Sequence, residues 1–146
     1  YSNRIYFKKG IVMKMKYIII PLFVGVITQC IKFIIETIKT KKINILRLFD
    51  GMGGMPSTHS SLVSSLSTMI YLNYGINNSL TSIVIIFSLL IIYDSMGIRY
   101  ESSKHAYILN KITNYNLNDR LGHKPIETLL GVFLGIILTI IFNIII

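Results

Sequence analysis

The feature that most constrains this chain is a stretch without any charged residue, which runs from Gly51 to Tyr93. A second uncharged stretch, Thr128–Ile146, ends the sequence. Because the hydrocarbon core of a bilayer is about 30 Å thick, a helix of about 20 mostly apolar residues spans it. Stretches this long and apolar indicate membrane helices and are poor helices in a soluble protein, so a soluble bundle is the less favoured alternative.

Four membrane helices follow from this pattern. Gln29 and Lys32 are the polar residues in the second half of the first span, and the longer uncharged stretch divides at the turn-rich segment Asn73–Asn78. The predicted fold is an all-α, integral-membrane bundle of about four transmembrane helices. We expect spans near residues 17–35, 60–73, 79–96 and 128–146, with short membrane-proximal elements in 36–58 and 97–127.

The length of 146 residues allows one domain, for which we expect residues 17–146. Residues 1–16 are interpreted as a basic N-terminal segment. Because the chain begins with Tyr1, we expect either a fragment or a chain with residues ahead of the true start, for which Met13 and Met15 are candidates. A cleaved signal peptide is less favoured, because no small-residue cleavage site follows the first apolar segment.

The composition excludes several classes of protein. The formal net charge is +9, yet 52% of residues are hydrophobic and the mean hydropathy is +0.61. A nucleic-acid-binding domain or a disordered basic tail would carry this charge on a polar chain, so no nucleic-acid partner is expected. The single cysteine, Cys30, excludes a disulfide scaffold.

The positive charges also predict an orientation. With four spans, segments 36–58 and 97–127 lie on one side of the membrane, and that side collects most of the Lys and Arg residues. By the positive-inside rule it faces the cytoplasm, which favours an inner (plasma) membrane location with the site on the cytoplasmic face. Lys14 and Lys16, on the opposite side, conflict with this orientation unless the first segment is re-entrant.

Two polar segments carry candidate chemistry. In residues 51–60 a glycine-rich loop precedes Ser57, Thr58 and His59, an arrangement that can present backbone N–H groups to an anion at a helix start. In residues 121–127, His123 and Glu127 are four apart and share a helical face, so Glu127 can hold the imidazole through Nδ1. The plainer alternatives are a capped Gly-Pro loop and a surface His–Glu pair.

Two further features add charge near these segments. Asp94 closes an uncharged run and can pair with Arg99 or Lys32, since an ionisable residue at the end of a span is costly unless paired or functional. Lys32 either extends to the headgroups or points inward toward a phosphate. A zinc site would need more ligands than Cys30 and His105 supply, so we expect no metal and no cofactor.

Four phrases, taken in order, resemble a known family. They are GGMPSTHS at 53–60, YDSMGIR at 93–99, LN at 109–110 and LGHKPIE at 121–127, and the positions of Gln29 and Lys32 also agree. Over about residues 17–135 the chain resembles the divergent PAP2 family, which comprises small membrane proteins related to type 2 phosphatidic acid phosphatases and vanadium-dependent haloperoxidases.

The resemblance implies a PAP2/haloperoxidase-like helical core and a metal-free phosphatase mechanism. It implies that His123 is the nucleophile that forms a phosphohistidine, that Glu127 orients it, and that His59 is the general acid. It also implies that the site binds phosphate. The candidates for this role, some of them chosen on charge and position, are Lys32, Gly53, Gly54, Ser57, Thr58 and Arg99, and Asp94 is expected to support them.

The chain departs from the wider superfamily at two places. The first motif, a Lys followed by Arg-Pro, is absent, because the prolines are Pro21, Pro56 and Pro125. The arginine expected six residues before the nucleophile falls on Leu117. Two phosphate-binding cations are therefore missing from their usual positions, and the candidates to replace them are Lys32, Arg99, Arg47 and Arg120, of which we favour Lys32 and Arg99.

The leading hypothesis is an enzyme that hydrolyses a phosphomonoester or diphosphate on a lipid in the membrane. The missing cations motivate the alternative, a non-catalytic protein that binds or transports lipid phosphates with the same pocket. A structural subunit of a membrane complex is the third. A thin four-helix bundle is compatible with a homo-oligomer, although no motif specifies one.

Overall fold

The computed structural model describes residues 2–43, 45 and 53–145, with side chains described from residue 15 onward. Within these ranges the chain is all-α, as predicted. Five helices follow one another: α1 Ser2–Thr40, α2 Thr58–Tyr74, α3 Ser79–Met96, α4 Ile98–Ile112 and α5 Pro125–Ile145. The predicted positions Arg47, Gly51 and Met52, and the terminal Ile146, lie outside the described residues.

Three helical stretches are long and apolar enough to cross a membrane. They are Met15–Thr40 in α1, Ser79–Ile112 (α3 and α4, which meet at Gly97) and Pro125–Ile145 in α5. The predicted span 79–96 is α3 itself, whereas α5 begins three residues earlier than predicted and so includes Glu127 in its first turn. The chain is therefore a membrane bundle of the predicted class.

Helix α2, the remaining predicted span, is the central helix of the bundle. It has 17 residues, is rich in Ser, and packs against α1, α3 and α5. Its small buried residues include Ser60, Ser61, Ser64 and Ser65. Surrounded by other helices rather than by lipid, α2 can carry hydroxyl groups at membrane depth because its neighbours accept their hydrogen bonds.

Glycines let α5 approach α2 very closely. A Cβ atom on Gly131 would overlap the backbone of Ser57, and one on Gly135 would overlap the backbone of Ser61 and the hydroxyl of Ser64. Both glycines are buried and lie four residues apart on one face of α5. This is the small-residue spacing that brings membrane helices together. The spacing of the two glycines is visible in the sequence.

Hydroxyl groups of α2 join it to each neighbouring helix. Ser65 accepts a hydrogen bond from Thr139 of α5, and Ser67 shares one of 2.8 Å with Ser88 of α3. Toward α1, Thr58 donates to the side-chain oxygen of Gln29 at 2.7 Å. Of the two polar residues predicted in the first span, Gln29 thus has a structural role, because it joins α1 to α2.

The large apolar side chains mostly face outward. Buried apolar residues are few, with a cluster formed by Ile20 and Val24 of α1 and Met69 of α2. By contrast Phe87, Ile83 and Ile137 are each more than half exposed. An interior of small polar residues with an apolar exterior is what a bilayer selects, because lipid solvates Leu, Ile and Phe as well as a protein core does.

Candidate functional site

The two segments predicted to carry chemistry meet at one end of the bundle. Ser57 caps α2, accepting a hydrogen bond from the Ser60 N–H at 3.4 Å, and the backbone N–H of Ser57 donates to the carbonyl of Glu127 at 3.0 Å. The start of α2 is therefore tied directly to the start of α5. This brings His59 and His123 together although they are far apart in sequence.

His123 is held by two contacts. Its backbone N–H donates to the carbonyl of Ser95 at 3.0 Å, and its Nδ1 lies 3.3 Å from Oε2 of Glu127. The same Glu127 oxygen accepts the backbone N–H of Lys124 at 3.1 Å. The predicted contact between His123 and Glu127 is thus present. His123 is only 2% exposed, so the imidazole is set into the protein and its orientation is defined by the carboxylate.

His59 lies in the first turn of α2 and exposes part of its side chain, just before the predicted span 60–73. Its ring centroid is 6.4 Å from that of His123. Partial desolvation lowers the pKa of His59, and electrostatic interactions with Arg99, His123 and Lys32 lower it further. The unliganded imidazole is therefore mostly neutral at pH 7, and a bound anion would favour its protonation.

The predicted phosphate-binding loop curves beside the buried Lys32. Gly53 and Gly54 both have positive φ angles, 50° and 85°, which glycine adopts readily and other residues rarely do. A Cβ on Gly54 would stand 3.1 Å from Cε of Lys32. Lys32 itself is 3% exposed, so it points into the protein rather than toward the headgroups. Of the two interpretations of this lysine, burial agrees with the inward one, and its contact with a phosphate remains a prediction.

Ser57 and Thr58 are occupied by structural contacts in this arrangement. The Ser57 oxygen accepts from the hydroxyl of Ser60 at 3.0 Å as well as from its N–H, and Ser57 is fully buried. Thr58 donates to Gln29, as described above. Both residues hold the start of α2 in place, so their contact with a substrate remains a prediction.

A cleft of about 530 Å³ opens beside these residues. Its walls come from the end of α1, the glycine loop, α4 and the segment before α5. Glu127 also lines the cleft, and the same side chain contacts His123. The charged residues that line the cleft are Lys32, Glu36, Lys39, Asp119, Arg120, Lys124 and Glu127. The cleft is thus lined by four cations and three carboxylates, and its cations can meet an anionic headgroup.

Asp94 and Arg99 form the pair that the sequence suggested. Nε of Arg99 donates to Oδ2 of Asp94 at 2.6 Å, and both side chains are partly exposed. Arg99 is near enough to His59 to lower its pKa, but it is not among the described residues that line the cleft. The two cations favoured from the sequence therefore lie in different surroundings, with Lys32 in the cleft and Arg99 beside His59.

The segment before His123 is anchored by two residues to which the sequence analysis assigned no role. Ser103 of α4 accepts the N–H groups of Leu121 and Gly122, each at 2.9 Å. Asn110 donates to the carbonyl of Leu117 at 2.8 Å and accepts its N–H at 2.7 Å. The phrase LN at 109–110 marked Asn110, but nothing local in the sequence indicates its partner.

Among the described residues there is no group of three or more His, Cys, Asp or Glu residues that could hold a metal ion. The described residues at this end of the bundle that can act on a ligand are imidazoles, a carboxylate, hydroxyls, backbone amides and cations. This set can bind a phosphate group and can also transfer one.

Comparison with known proteins assigns the chain to a family. The model of the divergent PAP2 family matches residues 13–138. The chain belongs to the divergent PAP2 family. It is also similar to the uncharacterized membrane protein YuiD of Bacillus subtilis (strain 168), with 31% identity over 80% of this chain and 86% of the relative. No solved structure matches the chain.

Proposed function

We propose that this protein is a membrane-embedded phosphatase of lipid phosphates that acts through a phosphohistidine. The observation that carries the proposal is the arrangement of His123, held by Glu127 at 3.3 Å, with the ring of His59 at 6.4 Å and a cationic cleft alongside. Membership of a family related to phosphatases supports it.

In this proposal Nε2 of His123 attacks phosphorus while the bond from phosphorus to the lipid oxygen breaks. His59, protonated with the anionic substrate bound, gives its proton to the leaving oxygen. Water then attacks the phosphohistidine, passes a proton back to His59 and releases inorganic phosphate. Glu127 stabilises the charge on His123, while Lys32, Arg99, Ser57, Thr58 and the amides of Gly53 and Gly54 bind the phosphoryl oxygens.

We further propose that the site faces the cytoplasm at the inner (plasma) membrane. The cleft is lined by four cations, and the described end of the chain beyond Thr128 carries no charge. An excess of Lys and Arg on one side of the membrane favours the cytoplasmic face, and there the charges meet anionic headgroups.

Phosphate release from lipids by purified protein in detergent tests the proposed chemistry. Phosphatidic acid, phosphatidylglycerophosphate and a polyprenyl diphosphate form a suitable panel, with no metal added. We expect release from at least one of them, and a loss of at least about 100-fold in His123→Asn. His105→Asn, which alters a histidine on the exposed face of α4, is the matched control and should leave release unchanged.

Equal rates for His123→Asn and the unaltered protein would refute the mechanism. Trapping of radiolabelled phosphate on His123, and its absence in His123→Asn, would support the intermediate directly.

The second candidate function is binding or transport of lipid phosphates without turnover. Two observations favour it: His123 is 2% exposed, and Ser57 is fully buried with its oxygen engaged by Ser60. A nucleophile needs access to phosphorus, whereas a binding site needs only the cleft. Lipid binding that survives His123→Asn, with no release from any lipid on the panel, would support this function and exclude the first.

A further inference from the structure

Arg120 is one of the four cations that line the cleft. It lines the 530 Å³ cleft together with Lys32, Gly53 and Gly54, the residues proposed to receive the phosphate. A Cβ on Gly53 would stand 3.0 Å from the carbonyl oxygen of Arg120, so the backbone of Arg120 directly adjoins the glycine loop. Arg120 therefore lies next to the glycine loop in the lining of the cleft.

The backbone of Arg120 is held in place by the segment that carries it. Its N–H donates to the side-chain oxygen of Asn118 at 3.0 Å. On the N-terminal side Asn110 binds Leu117 with two hydrogen bonds, and on the C-terminal side Ser103 binds Leu121 and Gly122. A side chain that extends from a fixed backbone can reach an anion at a small cost in conformational entropy.

The present partner of Arg120 is easily exchanged. Nη1 of Arg120 lies 3.4 Å from Oε1 of Glu36 in α1, and the Arg120 side chain is 63% exposed. The Glu36 side chain is 24% exposed. An ion pair this long, with its arginine exposed, contributes little to stability. A phosphate, by contrast, can accept two parallel hydrogen bonds from one guanidinium, which makes it a stronger partner than a single carboxylate oxygen at this distance.

Arg99 differs from Arg120 in its ion pair and in its position relative to the cleft. Its Nε is 2.6 Å from Asp94, it is half exposed, and the described lining of the cleft does not include it. Glu36 and Arg120 also line a second cavity of about 400 Å³ that contains Phe33 and Ile43. The Glu36–Arg120 pair thus lines both cavities.

We propose that Arg120 is a phosphate-binding residue of the cleft and that Glu36 holds it until an anionic headgroup takes its place. The inference rests on the proposed phosphate site, but it requires binding only and no turnover. Glu36 then acts as a competing anion that weakens binding of every phosphate ligand, and Arg120 supplies one of the two cations missing from the superfamily pattern.

Isothermal titration in detergent tests this proposal, with orthophosphate and short-chain phosphatidic acid as probes and His123→Asn as a background without turnover. We expect Arg120→Gln to raise Kd about tenfold or more for both probes, because it removes a charged hydrogen-bond donor. Arg120→Lys keeps the charge, so its Kd should lie between that of the unaltered residue and that of Arg120→Gln. Glu36→Gln should lower Kd by about two- to fivefold, because it removes the competing carboxylate.

The Glu101–Lys104 pair on α4 provides the matched control, because it is an exposed ion pair of 2.6 Å outside the cleft. Lys104→Gln and Glu101→Gln make the same charge changes as the two test variants and should leave Kd unchanged. Equal effects of Arg120→Gln and Lys104→Gln on Kd would overturn the proposal, as would weaker binding in Glu36→Gln. It would also be overturned if Arg120→Gln changed Kd for the lipid probe alone, or if neither probe bound.

Turnover, measured separately without the His123→Asn background, distinguishes this proposal from the proposed function. Binding that depends on Arg120 with no phosphate release would refute the phosphatase and leave this inference standing. Release that is unaffected by Arg120→Gln in both KM and kcat would refute this inference alone. If Arg120→Gln fails to fold, the Arg120→Lys and Glu36→Gln titrations still decide the outcome.

Discussion

The contact between α2 and α5 and the segment 113–124 differ in what holds them in place. Along α2 and α5, glycine backbones press directly against serine backbones, and no space remains for a methyl group. In segment 113–124, hydroxyl and amide side chains bind the chain at separate points, and its ion pair is exposed. The first region lies inside the helix bundle and the second lies at its exposed end. Close packing therefore holds the first region, whereas separate polar contacts hold the second.

The largest effect is expected from Gly135→Ala, which tests whether shape alone secures the helix contact. The added methyl group would overlap Ser61 and Ser64, so we expect a loss of about 3 kcal/mol or more in stability, or failure to fold. Thermal unfolding in detergent measures it. Gly25→Ala is the matched control, because the nearest atom to its methyl group is a flexible Leu62 carbon at 3.4 Å.

Ser64→Ala should not rescue Gly135→Ala, because the overlap with the Ser61 backbone remains. Full rescue, or equal stability of Gly135→Ala and Gly25→Ala, would show that the two helices can separate slightly. The contrast between the two regions would then be lost.

The next largest effect is expected from Glu127→Gln, which changes the cleft and leaves the helix contact alone. The amide keeps an oxygen for the Lys124 N–H but removes the charge beside His123. If His123 is the nucleophile, phosphate release should fall about 100-fold with little change in unfolding temperature. Glu101→Gln alters an exposed carboxylate on α4 and should change neither, whereas unchanged release in Glu127→Gln would remove Glu127 from the mechanism.

Ser103→Ala tests how far a single hydroxyl anchors segment 113–124. It removes the acceptor for the Leu121 and Gly122 N–H groups, and we expect a loss of about 1–3 kcal/mol. The rate of hydrogen exchange should increase more at these two amides than at the amides of α2. Ser103→Thr retains the hydroxyl and should restore protection, while Ser102→Ala, at the exposed neighbouring position, serves as control.

The smallest effect concerns pH and His59. Its pKa is lowered by partial desolvation and by Arg99, His123 and Lys32, so its protonated fraction falls as pH rises through a value below the ordinary one. If His59 is the general acid, kcat/KM should fall about tenfold per pH unit above that pKa, which places the optimum on the acid side. His59→Asn should flatten this limb, and the residual slope gives the titration of the substrate phosphate itself. An unchanged slope would exclude His59 as the acid.

The parts of the fold that depend on local interactions could be predicted from the sequence, whereas the parts that depend on contacts between helices could not. The bounds of α3 follow from the turn at Asn73–Asn78 and the charge at Asp94, both local signals. The central position of α2 was not predicted, because its serines are explained by partners on other helices. The four-residue spacing of Gly131 and Gly135 was a readable signal for close packing and went unused.

The candidate site divides in the same way. The contact of His123 with Glu127 could be predicted because residues four apart share a face of a helix. The separation of Arg99 from the cleft and the entry of Arg120 into it could not be, because the Glu36–Arg120 pair joins residues that lie far apart in the chain. The catalytic and binding roles remain predictions for the experiments above.

The sequence by itself determined that this chain is an all-α membrane protein of the divergent PAP2 family, because runs of apolar residues and short polar phrases are properties of contiguous chain. Only the tertiary structure decided which helix is central and which cations share a cleft with the glycine loop. The physical reason is that burial and charge pairing depend on distances in space. Glycine and serine contacts between α2 and α5 set those distances here.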